Sequence, residues 1–189
     1  MLRTCAVLGL VCGLLVVASP PLLAKDSKAK QQAKIRDTAK STLKGLYKIN
    51  PAAKTAIEKA AGYAVFNNFG MKILVAGGGS GKGVAVNNQT KREVFMKMVE
   101  VQAGLGFGVK KFNLVWVFET SQALDQFVSS GWEAGGQATA AATVDGQGGS
   151  FQGAIVIAPG VWLYQITDTG LALEITVKGT KYSRDDDLN

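Results

Sequence analysis

Glycine, serine and lysine cluster in the segment 77–83 (GGGSGKG), which superficially looks like a phosphate-binding loop. Such a loop needs a glycine, four residues, and then Gly-Lys followed by serine or threonine. Counting back from Gly81-Lys82 places Ala76 at the first glycine position, and Gly83 stands where the magnesium-binding hydroxyl is required. The dinucleotide fingerprint also fails, because Lys82 occupies its last glycine position. The segment therefore does not predict nucleotide binding.

Glycine instead recurs at alternate positions in two parts of the chain. A β-strand points successive side chains to opposite faces, so alternate glycines share one face. A face without side chains allows another backbone or a ligand to approach closely, and it allows a sheet to bend. The sequence therefore predicts a close-approach glycine face on a bent sheet, with these members: Gly77, Gly79, Gly81, Gly83, Gly104, Gly106 and Gly108.

Residues for catalysis and metal binding are scarce. The sequence has no histidine, and its two cysteines, Cys5 and Cys12, lie in the apolar N-terminal stretch considered below. Two Ser-x-x-Lys matches, at Ser27 and Ser41, fall in one lysine-rich segment, and the companion Ser-Asp-Asn and Lys-Thr-Gly motifs of acyl-serine enzymes are missing. The usual nucleophiles, bases and metal ligands are thus lacking. We predict no enzyme, no cofactor and no metal site.

Both ends of the chain are predicted to lie outside the packed domain. Residues 1–24 combine Arg3, an apolar run and Pro20-Pro21, and end at Ala24, which is the pattern of a secretory signal. We expect cleavage after Ala24, export to the periplasm or outside the cell, and a mature chain without thiols.

The acidic run 185–187 lacks the glycine and glutamate of an EF-hand loop. It is predicted to be a solvated tail, with weak binding of a hard cation as the alternative.

The net charge of the expected mature chain is concentrated in residues 25–48. This segment has eight basic and two acidic residues, a net charge of +6, whereas residues 49–189 have twelve of each. Ile35, Ala39, Leu43 and Leu46 recur at helical spacing and form one apolar face. The segment is therefore predicted to be an amphipathic helical arm. Its candidate lipid-binding residues lie off the apolar face: Lys30, Lys34, Arg36, Lys40, Lys44 and Lys48.

Two uses of the arm's basic surface stay open, a membrane-surface helix and a simply solvated helix face. Contact with anionic phospholipid would add about 1 kcal/mol for each basic residue near the surface. Binding of nucleic acid is not predicted, because an exported protein does not meet it and the arm has only one aromatic residue, Tyr47, to stack on bases.

The remaining sequence predicts a β-rich domain of the α+β class. Asn50-Pro51 looks like the start of a second short helix that Gly62 would end, and one helix is predicted over 121–129. Short β-rich segments follow one another from Tyr63 onward, and the small-residue segment 137–144 (QATAAATV) is one of them. We predict two N-terminal helices, then a curved, mostly antiparallel, barrel-like sheet with one inserted helix. The predicted turn signals are Asn67-Asn68, Asn87-Asn88, Asp145-Gly146, Pro159-Gly160 and 168–170.

The order of motifs resembles the SYLF domain family, whose secreted bacterial members bind lipid and whose eukaryotic members bind phosphoinositides and actin. The resemblance covers nearly the whole of the expected mature chain, and its main motifs are AAGYAVF at 60–66, GGGSGKGVAV at 77–86, QAGLGFGV at 102–109, SQALDQF at 121–127 and GLALEITVKGTKYS at 170–183. It implies a SYLF-like domain over 49–189 behind the arm. It also implies non-catalytic binding of acidic phospholipid at a membrane surface. A structural or protein-interaction module of the cell envelope is the alternative function.

Overall fold

The computed structural model describes residues 27–73, 76–103, 108–134, 150–151, 153–167, 170–172 and 179–189. Its helices are α1 (Lys28–Ile49), α2 (Pro51–Lys59) and α3 (Ser121–Ser129). Its strands are β1 (Gly62–Ile73), β2 (Ala76–Asn87), β3 (Glu93–Ala103), β4 (Gly108–Phe118), β5 (Trp132–Ala134), β6 (Ser150–Phe151), β7 (Ala154–Ala158), β8 (Val161–Thr167), β9 (Gly170–Ala172) and β10 (Thr180–Arg184). The predicted α+β class and the inserted helix over 121–129 are confirmed.

The described strands form one curled, half-barrel sheet in which every pairing is antiparallel. The strand order is β5-β10-β3-β2-β1-β4-β8-β7-β6, and β9 pairs with β8. The four long strands β1 to β4 lie side by side at the centre of the sheet. Helix α2 ends at Lys59. Gly62, predicted to end this helix, begins β1, where a Cβ atom would lie 2.6 Å from Cδ2 of Leu124.

The prediction of a turn at Asn67-Asn68 is wrong, because both residues lie inside β1. Asn68 is buried and its Nδ2 donates a 2.7 Å hydrogen bond to Oε2 of Glu100. On the opposite face, Nδ2 of Asn67 donates to Oδ1 of Asn113 at 2.8 Å. Asn113 lies on the adjacent strand β4, whereas Glu100 lies on β3, on the far side of β2. Each asparagine thus has a polar partner within the sheet, and β1 continues through them.

Two of the predicted turns are confirmed. Between β2 and β3, Oδ1 of Asn87 accepts hydrogen bonds from the main-chain N–H groups of Gln89 and Thr90 at 3.0 and 2.9 Å. Between β7 and β8, Gly160 has a φ of +70°, which a residue without a side chain adopts most readily. The turn signals at 145–146 and 168–169 and the strand at 137–144 lie outside the described residues.

The sheet buries apolar side chains on both faces. The first face, here the α3 face, packs on Leu124 and Phe127 and holds the largest aromatic cluster, in which Trp116 and Tyr182 meet edge to face at 5.1 Å. The second, the α1 face, packs on α1 and α2, with Val65 among its strand residues. Two packed layers of helix on one sheet give the protein its core.

The predicted glycine positions on β2 belong to the α3 face, where atoms of the neighbouring strands fill the space above them. A Cβ atom at Gly81 would lie 2.8 Å from Cγ of Met98, and one at Gly83 would lie 2.5 Å from Cδ1 of Phe66. At both positions the nearest atom is a main-chain oxygen of β1, that of Asn67 at Gly81 and that of Val65 at Gly83, so backbone and side chains of the adjacent strands both make the close approach. Gly77 and Gly79 share this face by alternation, and Gly108 begins β4. Gly104 and Gly106 lie outside the described residues.

The segment 185–189 folds back onto the first half of α1, so the prediction of a solvated acidic tail is wrong for Asp185. Its side chain is buried and lies 3.5 Å from Nζ of Lys82, while Asp186 and Asp187 are exposed. Leu188 is buried, and its main-chain oxygen accepts a 2.7 Å hydrogen bond from Nε2 of Gln32. The side chain of Asn189 also binds both the N–H and the C=O of Phe95 on β3, at 3.0 and 2.8 Å.

Candidate functional site

Helix α1 carries most of the predicted site, and its ends are set by local hydrogen bonds. Oγ of Ser27 accepts from the main-chain N–H of Lys30 at 3.4 Å, and the helix ends at Asn50, whose N–H donates to the oxygen of Leu46 at 2.7 Å. Proline at the next position then starts α2, because it needs no hydrogen-bond acceptor there.

The apolar face of α1 packs on the sheet. Ile35, Ala39 and Leu46 are buried, as predicted, and Thr42 is buried with them, whereas Leu43 lies half-buried at the edge of this face. The segment 25–48, predicted as an arm, therefore contributes side chains to the core on the α1 face. Because its apolar stripe is occupied, the folded helix presents mainly its polar surface outward.

Three of the six predicted lysine and arginine residues come together in a groove on the outer surface of α1. We call this the lysine groove; it has a volume of about 490 Å³ and is lined by Lys40, Leu43, Lys44, Tyr47, Lys48 and Lys54. Lys40, Lys44 and Lys48 are exposed, and in the described part of the chain none of them forms an ion pair. The groove therefore presents a concentrated positive charge around a small apolar floor.

Lys54 is the member of this groove that the sequence did not reveal. It comes from α2, and its Nζ lies 3.9 Å from Oε1 of Glu58, one turn further along the same helix. Both side chains are well exposed, so this pair neutralises the groove only weakly. The spacing within the arm could not have indicated Lys54, since only the packing of α1 against α2 places it there.

The side chain of Tyr47 lines the groove and remains neutral at physiological pH. Burial, together with the nearby Tyr63 and Glu58, raises the pKa of this phenol to about 12. An ionised phenolate would partly cancel the lysine charges. The protonated side chain instead adds an aromatic surface and a hydroxyl group beside them.

The other three predicted residues are not in the lysine groove. Nε of Arg36 binds Oε2 of Glu93 at 2.7 Å, and its guanidinium lies 5.0 Å above the ring of Phe95. The predicted basic ridge has one residue every four positions, whereas a helical turn has 3.6 residues, so successive members lie progressively further around α1. Arg36, the first member, is therefore close enough to the sheet to contact it. Lys30 is exposed near the start of α1, and Lys34 lies on the opposite flank from the groove.

Lys34 lines a second depression, the α1–sheet cleft, which has a volume of about 750 Å³. Lys82 of β2 and Lys97 of β3 lie on its sheet side, directly opposite each other in the strand register. Asp185 and Asp187 also line it, so the cleft is less positive than the groove. The sequence analysis did not identify Lys82 or Lys97 as site residues. Side chains alternate between the two faces of a strand, and this alternation could have indicated which face of the sheet each lysine lies on.

The described residues contain no cluster of three or more potential metal ligands. Within the same residues, no helix combines the length and the apolar character needed to cross a bilayer.

Comparison with known proteins agrees with this fold. The family described as "Ysc84: Las17-binding protein actin regulator", also called SYLF, matches residues 99–189. A relative from Aeromonas veronii, Beta cell expansion factor A, is 34% identical over 161 residues, which cover 82% of this chain. The chain spans 57% of the length of that relative. The chain belongs to the SYLF, or Ysc84, domain family, a family of binding and regulatory domains.

Proposed function

We propose that this protein is a non-catalytic domain that docks on the surface of anionic phospholipid membranes. The lysine groove is the observation that supports this proposal, because Lys40, Lys44 and Lys48 are exposed, mutually close and free of ion pairs within the described residues. Helix α1 as a whole has seven basic residues and one acidic residue, Asp37. Such clusters attract anionic leaflets by about 1 kcal/mol per basic residue near the surface.

Docking of this kind is electrostatic. The apolar residues of α1 are occupied by the sheet, so the helix contributes charge and the small surface of Leu43 and Tyr47. Attraction between exposed charges and a surface falls off over about 8 Å at physiological ionic strength. Binding should therefore require anionic lipid and weaken steeply as salt is added.

Co-sedimentation with vesicles tests the proposal. Replacing Lys40, Lys44 and Lys48 together by glutamine should remove up to about 3 kcal/mol of binding, which is on the order of a hundredfold in the dissociation constant. A matched control replaces three exposed basic residues outside the groove, Lys59, Lys91 and Arg92, by glutamine. This control has the same net charge and should bind more tightly than the groove variant. Equal loss in both variants would show that net charge, rather than the groove, determines binding.

Export by a cleaved signal in residues 1–24 belongs to the same proposal, since it would bring the domain to a membrane surface in the periplasm or outside the cell. A protein-binding role is the second candidate. The matching family is described by a protein partner, Las17, and by actin regulation, and a module of the cell envelope would use a protein partner of its own. Failure of the unaltered protein to bind any anionic vesicle would favour that second candidate.

A further inference from the structure

Two large apolar side chains stand exposed near the end of β3. Val99 is 52% exposed and Val101 is 65% exposed. Side chains alternate along a strand, so both share the α1 face with Phe95, which packs under α1. Helix α1 therefore covers the start of this row and leaves its end open.

Little covers these valines on the β2 side, whereas on the other side β10 places Lys181 opposite Val99. In the register of β2 with β3, Val99 lies opposite Ser80 and Val101 lies opposite Gly78. A Cβ atom at Gly78 would have only the main-chain oxygen of Glu100 near it, at 3.6 Å. Small residues on β2 thus leave the apolar surface of both valines accessible from the side as well as from above.

Two lysines precede the valines on the same face of the sheet. Lys97 precedes them on the same face of β3, and Lys82 lies opposite it on β2. Nζ of Lys82 lies 3.5 Å from the buried carboxylate of Asp185, whereas Lys97 forms no ion pair within the described residues, so Lys97 is the charge left for an anionic group. Lys34 of α1 lines the same α1–sheet cleft, which extends to Val99.

We propose that the valine strip, made of Val99 and Val101 together with Lys97, is a second membrane-contact surface. The valines enter the boundary between headgroups and acyl chains, while Lys97 and Lys34 meet the phosphate groups of anionic lipids. The four steps along the strand from Lys97 to Val101 span about 13 Å at the usual rise of an extended strand. Along β3 the charge of Lys97 comes first and the apolar surface of the valines follows. A membrane leaflet has the same order with depth, phosphate first and then hydrocarbon. A flat protein partner would not require this order.

This inference rests on the proposed function, since it assumes that the protein docks on anionic bilayers. It differs from that proposal in the residues and in the kind of contact. The lysine groove supplies attraction at a distance, whereas the valine strip supplies insertion. Both lie on the α1 side of the sheet.

Site-specific labelling tests the valine strip. Once Cys5 and Cys12 are replaced by serine, the full chain contains no cysteine, and Val101→Cys can carry a polarity-sensitive fluorophore. With vesicles of phosphatidylglycerol and phosphatidylcholine, its emission should shift to the blue, and brominated acyl chains should quench it. The matched control is Val156→Cys on β7, which is 36% exposed and five positions away in the strand order. Its emission should not change.

The outcomes separate the two proposals. Vesicle binding without a shift at residue 101 would overturn the valine strip and leave electrostatic docking standing. Absence of vesicle binding by the unlabelled chain would overturn both. As an independent measure, Val101→Thr keeps the branched shape but adds a hydroxyl, and it should weaken binding roughly fivefold, while Val156→Thr should not. Unchanged binding by Val101→Thr would also overturn the valine strip.

Discussion

Alanine at position 83 offers a direct test of the close packing over β2. Gly83 faces Phe66 from the neighbouring strand, and a Cβ atom there would lie 2.5 Å from Cδ1 and 2.7 Å from Cγ of the ring. The main-chain oxygen of Val65 lies in the same direction. Phe66 is fully buried against Phe127 and Tyr182, so its ring has little freedom to move away.

The size of the effect follows from two opposing terms. Overpacking a core typically costs about 1–3 kcal/mol. Replacing glycine by alanine also reduces the entropy of the unfolded chain, which contributes about 0.4–1 kcal/mol in the other direction. Gly83→Ala should therefore lower the free energy of unfolding by roughly 1–2 kcal/mol. In a domain of this size, each kcal/mol lowers the melting temperature by about 2–4 °C.

Thermal and urea denaturation of three variants would check this reasoning. Gly78→Ala is the matched control on the same strand, because its Cβ would have ordinary contact distances, and its stability should equal or slightly exceed that of the unaltered protein. In a Phe66→Leu background, Gly83→Ala should cost less, although the Val65 oxygen still opposes it. If Gly83→Ala and Gly78→Ala melted at the same temperature, the argument for a tightly packed glycine face would be refuted.

Three further predictions concern other parts of the chain. Asn189→Ala should lower the free energy of unfolding by about 1–3 kcal/mol in urea denaturation, because it leaves the N–H of Phe95 without its partner, while the C=O keeps only the N–H of Asp185 as a donor. Stability should fall as pH rises from 10 toward 12, since the unfolded chain loses its Tyr47 proton near pH 10 and the folded chain near 12, and Tyr47→Phe should make this fall measurably shallower. Intact-mass measurement of exported protein should give a chain beginning at Lys25; a chain that retains residues 10–17 would contradict cleavage after Ala24.

The elements that follow from local periodicity were predictable from sequence. The spacing of Ile35, Ala39 and Leu46 identified the buried face of α1, and the residues of 121–129 identified α3. Both depend on side chains within a few positions of each other, which a single sequence displays. The β-rich character of the rest was equally clear, because it follows from composition.

Features that depend on distant partners were not predictable. Asn68 looked like part of a turn because its partner, Glu100, lies 32 positions away. Arg36 looked like a free surface charge because Glu93, which binds it, lies 57 positions away. Lys54 joined the candidate site only through the packing of α2 beside α1. In each case the sequence supplied the residue type, and the pairing of strands and helices decided its role.

The docking of the segment 185–189 on α1 also bears on the order in which the chain folds. The hydrogen bond between Gln32 and Leu188 joins residues 156 positions apart. Contacts so distant in sequence form slowly, because the intervening chain must first be organised. The hydrogen bonds that hold the first half of α1 to the segment 185–189 can form only once the C-terminal end of the chain has reached it. We therefore expect this end of α1 to be fixed late in refolding, and its apolar residues to be open to aggregation until then.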